Sequence, residues 1–193
     1  KGASTQVDRV KIGDQEVSRF INEFWTSKQR QASSLHEISY RACFKPQLPR
    51  FFINLFTQKG ERVFDPFSGR GTTLIEAGML GRDIVSNDIN PLSQILTAPR
   101  LTPPSLEEVE KRLDMIPVDI TARGEIDLSM FYHPATEGEL VSIRNYLLER
   151  SSQEEDPVDM WIRMVATNRL TGHSPGFFSV YTLPPNQAVT PER

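Results

Sequence analysis

Residues 62–92, RVFDPFSGRGTTLIEAGMLGRDIVSNDINPL, leave the backbone few options. Val63 and Phe64 form a short apolar strand that ends on an acid, Asp65, and enters a loop containing Gly69 and Gly71. A helix begins at about Thr72 and is stopped by Gly81. A second strand, DIVSNDI, then closes on another acid, Asp88. Strand, helix and strand with turn signals at each junction make a βαβ unit, whose two strands run parallel. An α/β fold follows, with both acids at strand ends.

The flanking segments read mainly as helices. In 14–28, DQEVSRFINEFWTSK, the residues Val17, Phe20, Ile21, Phe24 and Trp25 fall at helical spacing and predict an amphipathic helix. Pro46 and Pro49 bracket the start of a second helix, PRFFINLFTQKG, with Gly60 placed to end it. PLSQILTAPRL predicts a short helix with Pro91 in its first turn. Beyond Pro103 and Pro104, Ser105 and Glu108 form a capping pair for SLEEVEKRLDMI. TEGELVSIRNYLLERS is a further helix, and DPVDMWIRMVATNRLTG another, opened by Asp156 and Pro157 and closed by Gly172. SSQEED between them reads as a solvated linker. The expected organisation is a helical segment over 1–33, an α/β part over 34–101 and a mostly helical part over 102–193.

Composition excludes several function classes. A chain of 193 residues suits one domain, or one with a helical appendage. The net charge of -3 announces no general affinity for nucleic acid, although a local basic face can coexist with it. Apolar runs are as short as GFFSVY and the amino terminus has no apolar secretion core, so no membrane partner is expected and a cytoplasmic location follows. Cys43 is the only cysteine, which excludes internal disulfides and multi-cysteine zinc sites. His36, His133 and His173 lack metal-site spacing, so no metal is expected. The chain starts at Lys1 without a methionine and stops at Arg193 in a polar stretch, as a piece of a longer protein would.

A glycine loop between strand and helix brings backbone N–H groups and the helix dipole close to a ligand, and three ligand classes use such loops. A nucleoside triphosphate requires GxxxxGK and then Ser or Thr; here Gly69 and Gly71 are too close and no lysine follows. A dinucleotide requires GxGxxG, but the third glycine position is Leu74, and Asp65–Pro66 is not the expected strand end. S-adenosylmethionine has an ammonium, a carboxylate, a ribose and an adenine but no phosphate. Asp65 at the strand end can accept from the ammonium, a role a phosphate site would repel. Asp88 can accept from the ribose hydroxyls, with Asn87 or Ile89 along the adenine. Two acids, two strand ends and one loop fit this ligand best.

DPFSGRGTTLIEAGMLGRDIVSNDINPL resembles the cofactor-binding region of the DNA amino-methyltransferases, which methylate the exocyclic nitrogen of adenine or cytosine. The preceding SYRACFKPQLPRFFINLFT resembles the segment that closes over the methionine end of the cofactor in that family. The resemblance covers about 36–101. It implies a partial Rossmann-like, S-adenosylmethionine-dependent methyltransferase fold with an additional mostly helical segment. It further implies a cofactor loop of Asp65, Pro66, Phe67, Ser68, Gly69, Gly71, Thr72 and Thr73, a ribose site at Asp88 with Ile89 and Asn90 beside it, and Phe44, Lys45 and Pro46 flanking the methionine part. The implied substrate is double-stranded DNA with the target base flipped out, in a restriction-modification setting.

The sequence departs from that family twice. Arg70 stands where a small residue is usual between the glycines, either pointing to solvent or contacting a substrate phosphate. The catalytic element, Asp, Asn or Ser followed by Pro-Pro and an aromatic residue, is missing; in the family it accepts from the target amino group and stacks on the flipped base. The Pro-Pro pairs here are Thr102-Pro103-Pro104-Ser105 and Leu183-Pro184-Pro185-Asn186, which read as structural prolines, so the catalytic residues are unassigned. The missing half would come from the remainder of the polypeptide or from a second subunit. Aromatics Phe131, Tyr132, Phe177, Phe178 and Tyr181 are either core residues or surfaces for base stacking. Lys28, Arg30, Arg41, Lys45 and Arg50 either follow a phosphate backbone or form a solvated face. Two other functions remain open: an RNA guanine-N2 methyltransferase, whose motif is similar, and a non-catalytic S-adenosylmethionine-binding subunit.

Overall fold

A computed structural model describes residues 4–22, 32–38, 40, 43–129, 131–151 and 156–169. The chain divides into two compact units, Lys1–Ile89 and Asn90–Arg193.

The first unit opens with an antiparallel hairpin, β1 (Gln6–Ile12) and β2 (Gln15–Ile21). This corrects the helix expected over 14–28, and with it the helical character expected of 1–33; residues 23–28 lie outside the described ones. Val17, Phe20 and Ile21 do have helical spacing, but they are also residue types that favour strands, and the preceding segment supplies a strand partner. Gly13 adopts φ 59° in the two-residue turn, a conformation that favours glycine and matches hairpin twist. Val10 then faces Val17, Val7 faces Phe20 and Asp8 faces Arg19. Arg19 binds the Asp8 carboxylate through Nε and Nη2 at 2.9 and 2.6 Å. Cross-strand pairs of this kind stabilise a sheet as i,i+4 pairs do a helix.

After a 3-10 turn, Ser34–His36, the chain forms α1 (Gln47–Phe56), β3 (Arg62–Asp65), α2 (Thr72–Met79) and β4 (Asp83–Ser86). β3 and β4 pair in parallel, with Val63 opposite Ile84 and Phe64 opposite Val85, as the βαβ reading requires. α2 packs on both strands and on α1. Leu74, Ile75 and Ala77 of α2 are buried with Ile53 of α1 and Ile38. Such burial of Leu or Ile contributes roughly 1.5–3 kcal/mol per side chain. The helix starts and stops follow the expected chemistry: Gly71 (φ 78°) precedes α2 and Gly81 (φ 74°) follows it.

The second unit is helical among the described residues. It comprises α3 (Leu92–Thr97), a 3-10 turn over Ala98–Leu101, α4 (Leu106–Asp114), α5 (Pro134–Ser151) and α6 (Pro157–Arg169). α3, expected with the α/β part, lies in this unit; no third strand follows it among the described residues, and it packs on α6. Pro91 precedes α3, and Ser105 and Glu108 form the full capping box of α4. Asp156 caps α6 by accepting from the Asp159 amide at 2.9 Å. Arg112 of α4 and Arg150 of α5 both bind Asp156 and Asp159, so one acid pair ties three helices together. Gly138 admits the Ile120 backbone against α5: a Cβ there would lie 2.4 Å from the Ile120 carbonyl atoms. No helix of the described residues is long and apolar enough to cross a membrane.

Candidate functional site

Parallel pairing of β3 and β4 sets Asp65 and Asp88 at neighbouring strand ends, and the glycine loop closes across them. The ladder continues past the strands: the Asn87 amide donates to Asp65 O at 3.0 Å and the Ser68 amide to Asn87 O at 3.1 Å. Buried Ser68 extends its hydroxyl to Asp65 O and Asn87 O, at 3.0 and 3.1 Å. The Asn87 side-chain amide reaches Pro66 O at 3.3 Å. One hydroxyl, one side-chain amide and two peptide N–H groups thus hold the loop on the strand ends.

The acids are then placed by the loop backbone. The Phe67 amide donates to Asp65 Oδ1 at 3.0 Å, and the Gly69 amide to Asp88 Oδ2 at 2.7 Å. Gly69 has φ 51° and Gly71 φ 78°, so both are left-handed where a side chain would be strained. The Gly71 amide closes the turn onto Ser68 O at 2.7 Å. Thr72 is buried and Thr73 half-buried at the start of α2. Phe67 is 85% and Ile89 99% exposed, so apolar surface borders the carboxylates. A carboxylate has about four lone-pair positions, and the Gly69 amide takes one of those of Asp88.

Arg70 turns its guanidinium onto the protein's own backbone. Its Nη1 donates to the carbonyls of His36 and Ile38 at 3.1 and 2.8 Å, and its Nε to Thr72 Oγ1 at 3.2 Å. The half-buried guanidinium is thus partly committed to the protein's own backbone. The loop sets two acids, Asp65 and Asp88, each accepting from a loop amide.

The structure brings Asp65, Pro66, Phe67, Ser68, Gly69 and Asp88 into one bonded cluster. Phe44, Lys45 and Pro46 instead lead into α1: Phe44 and Lys45 are exposed, and Pro46 is buried at the helix start. Asn90 opens the second unit and accepts from the Leu92 amide at 3.0 Å. Arg50, considered with the basic residues, pairs with Glu76 at 3.4 Å. Lys28, Arg30, Arg41, Phe177, Phe178, Tyr181 and the Pro184–Pro185 pair lie outside the described residues. Pro103 and Pro104 lead directly into the capping box of α4, so Ser105 is engaged in starting a helix.

Three participants escaped the sequence reading. Tyr40 sets its ring 3.4 Å from where a Gly69 Cβ would stand. Glu76, 2% exposed, accepts from His36 Nε2 at 2.8 Å, since a carboxylate only accepts. The available signal was Glu76 itself: an acid between Ile75 and Ala77 on the apolar side of a helix requires a buried partner.

Comparison with known proteins gives the family. A model described as DNA methylase matches residues 3–95, from the hairpin through β4 into α3. Residues 3–95 are thus similar to the DNA methylases. Within this methylase segment fall β1, β2 and every residue of the glycine loop. The chain is similar to the Type II methyltransferase M.MvaI of Kocuria varians, 29% identical over 64% of this chain and 25% of that protein. It is also similar to the Type II methyltransferase M.BsoBI of Geobacillus stearothermophilus, 31% identical over 55% of this chain and 23% of that protein. A shorter similarity joins it to a tRNA (guanine(10)-N2)-dimethyltransferase of Methanothermobacter thermautotrophicus, 44% identical over 26% of this chain and 16% of that protein. The chain thus spans about a quarter of the length of the first two relatives. No solved structure matches it. The cofactor of the DNA methylase family is S-adenosylmethionine.

Proposed function

We propose that this chain carries the S-adenosylmethionine-binding part of a DNA methyltransferase that acts on the exocyclic amine of adenine (N6) or cytosine (N4). The observation that carries this reading is the pair of carboxylates, Asp65 and Asp88, at neighbouring ends of parallel strands with the Gly69 amide bonded to Asp88. The donor set suits the cofactor chemically. Two acids favour an ammonium and a diol, and would repel a phosphate. When bound, the cofactor supplies a sulfonium methyl, which passes to the amine nitrogen as its bond to sulfur breaks.

In this reading Asp65 accepts from the ammonium of the amino-acid end and Asp88 from the ribose hydroxyls. Gly69 and Gly71 let the backbone pass close to the methionine part, with Ser68, Thr72 and Thr73 supporting the turn. Asn87 or Ile89 lines the adenine, Phe67 belongs to the loop, Pro66 shapes the strand exit, and Phe44, Lys45 and Pro46 flank the methionine end. These residues position the methyl donor, and positioning is the larger part of what such a transfer demands of a protein. The polar and aromatic groups that hold a flipped base would come from elsewhere in a longer polypeptide or from a second subunit, with duplex DNA as substrate. A Rossmann-like sheet would be completed by that same part.

The 44% identity to a tRNA guanine-N2 methyltransferase over a short stretch favours a second reading, in which the acceptor is RNA. The longer similarities to Type II methyltransferases favour DNA. Calorimetric titration with S-adenosylmethionine, followed by transfer assays on unmethylated DNA and on tRNA, tests both. Micromolar or tighter cofactor binding is expected, with no transfer by this chain alone and transfer to DNA once a complementing catalytic half is added. Transfer to tRNA instead would select the second reading. Absence of cofactor binding in the complemented protein would overturn the cofactor site.

A further inference from the structure

Arg70 occupies a position where a small residue would suffice for the turn, yet it makes contacts that reach 34 residues back along the chain. Its guanidinium collects the His36 and Ile38 carbonyls and braces against Thr72 Oγ1. Independently, the His36 ring is fixed to Glu76 of α2 at 2.8 Å, with both side chains nearly fully buried. Glu76 in turn lies 3.4 Å from Arg50 of α1. Tyr40, two residues beyond Ile38, places its ring 3.4 Å from where a Cβ on Gly69 would stand. The Gly69 amide is the donor to Asp88. Arg70 thus holds the segment that carries the Tyr40 ring past the open side of Gly69, whose amide donates to Asp88.

We infer that Arg70 is a positioning residue: it straps the 3-10 turn Ser34–His36, Ile38 and Tyr40 onto the glycine loop, and so fixes the Gly69 amide and Asp88 for the cofactor without touching it. The inference rests on the S-adenosylmethionine reading of the loop. A guanidinium suits the task because its planar fork serves two carbonyls and a hydroxyl at once and stays charged. Without it those carbonyls would lose a charge-assisted donor. Glu76 adds a second fastening from the opposite side of the turn, so the strap is held by a cation on its carbonyls and an anion on its imidazole.

The test compares the unmodified chain with Arg70→Ala and Arg70→Lys by amide hydrogen exchange, without ligand, and by calorimetric titration with S-adenosylmethionine. The His36 and Glu37 amides donate within the turn to Ser33 O and Ser34 O, each at 2.9 Å, and report on whether the strap is held. Arg70→Ala is expected to speed their exchange about ten-fold or more, leave the amides of α2 protected, and weaken cofactor binding about ten-fold, the scale of a lost charged hydrogen bond. Arg70→Lys, whose ammonium still donates, is expected to recover part of both. Unchanged exchange at His36 and Glu37, or weakened binding without faster exchange, would overturn the inference. If the unmodified chain does not bind S-adenosylmethionine, the cofactor reading fails, while the ligand-free exchange still decides whether Arg70 holds the strap. If Arg70→Ala loses protection throughout α2, Glu76→Gln provides the second release: faster exchange at His36 and Glu37 alone supports the strap, and no change refutes it.

Discussion

Asp88 is asked to do two things with one carboxylate: receive the Gly69 amide at 2.7 Å and, in the proposed complex, the ribose hydroxyls. Asp88→Ala should therefore weaken S-adenosylmethionine binding by about 1.5–3 kcal/mol, the scale of hydrogen bonds to a charged group. Calorimetry checks this, and unchanged affinity would remove Asp88 from the site. Its position was legible from the sequence because a strand end is a local property. Arg70 was legible only as an oddity. Its partners are backbone carbonyls more than thirty residues away, and carbonyls belong to every residue type, so no side-chain pattern announces them.

Elements divide between those decided by local chemistry and those decided by a neighbour. The capped starts of α4 and α6 and the glycines on either side of α2 agree with expectation because the deciding groups lie within a few residues. The apolar residues of β2 follow a helical spacing, and only pairing with β1 makes the segment a strand. At α5, Gly138→Ala would drive a methyl into the Ile120 backbone. It should destabilise the helical unit by about 1–3 kcal/mol, as overpacking does, measured by urea denaturation. A pH effect belongs to the junction of α4, α5 and α6. Burial works against the charge of Asp156, but the Arg112 hydrogen bond, the Asp159 amide and Arg150 outweigh it and lower its pKa to about 2 from 3.8. The folded value lies below the unfolded one, so this stabilisation is complete above about pH 4 and is lost as pH falls through about 2. Thermal melts should show the helical unit weakening across that window. Asp156→Asn should lower stability at neutral pH and make the acid decline shallower.

On the scale of the whole molecule, the β3–β4 sheet has two strands among the described residues, and one of its faces is not covered. Phe64 and Val85, partners in the register, are 58% and 40% exposed, whereas parallel sheets are almost always buried on both faces. Phe64→Ser should change the stability of this chain by no more than about 0.5 kcal/mol, as at other exposed sites, and reduce binding of an apolar dye. The same substitution in a longer protein that covers this face should cost several times more. Parallel denaturation curves of the two proteins make the comparison.

By itself the sequence determined the βαβ unit, the parallel sense of its strands, the acids at their ends and the caps of the helices. Each depends on spacing or turn chemistry confined to a short stretch. The tertiary structure alone decided that residues 15–21 form a strand, that Arg70 faces two carbonyls, that Glu76 joins His36 to Arg50, and that α3 belongs with α6. Those outcomes depend on groups far apart in the chain, where several pairings satisfy the same local pattern and packing selects one of them.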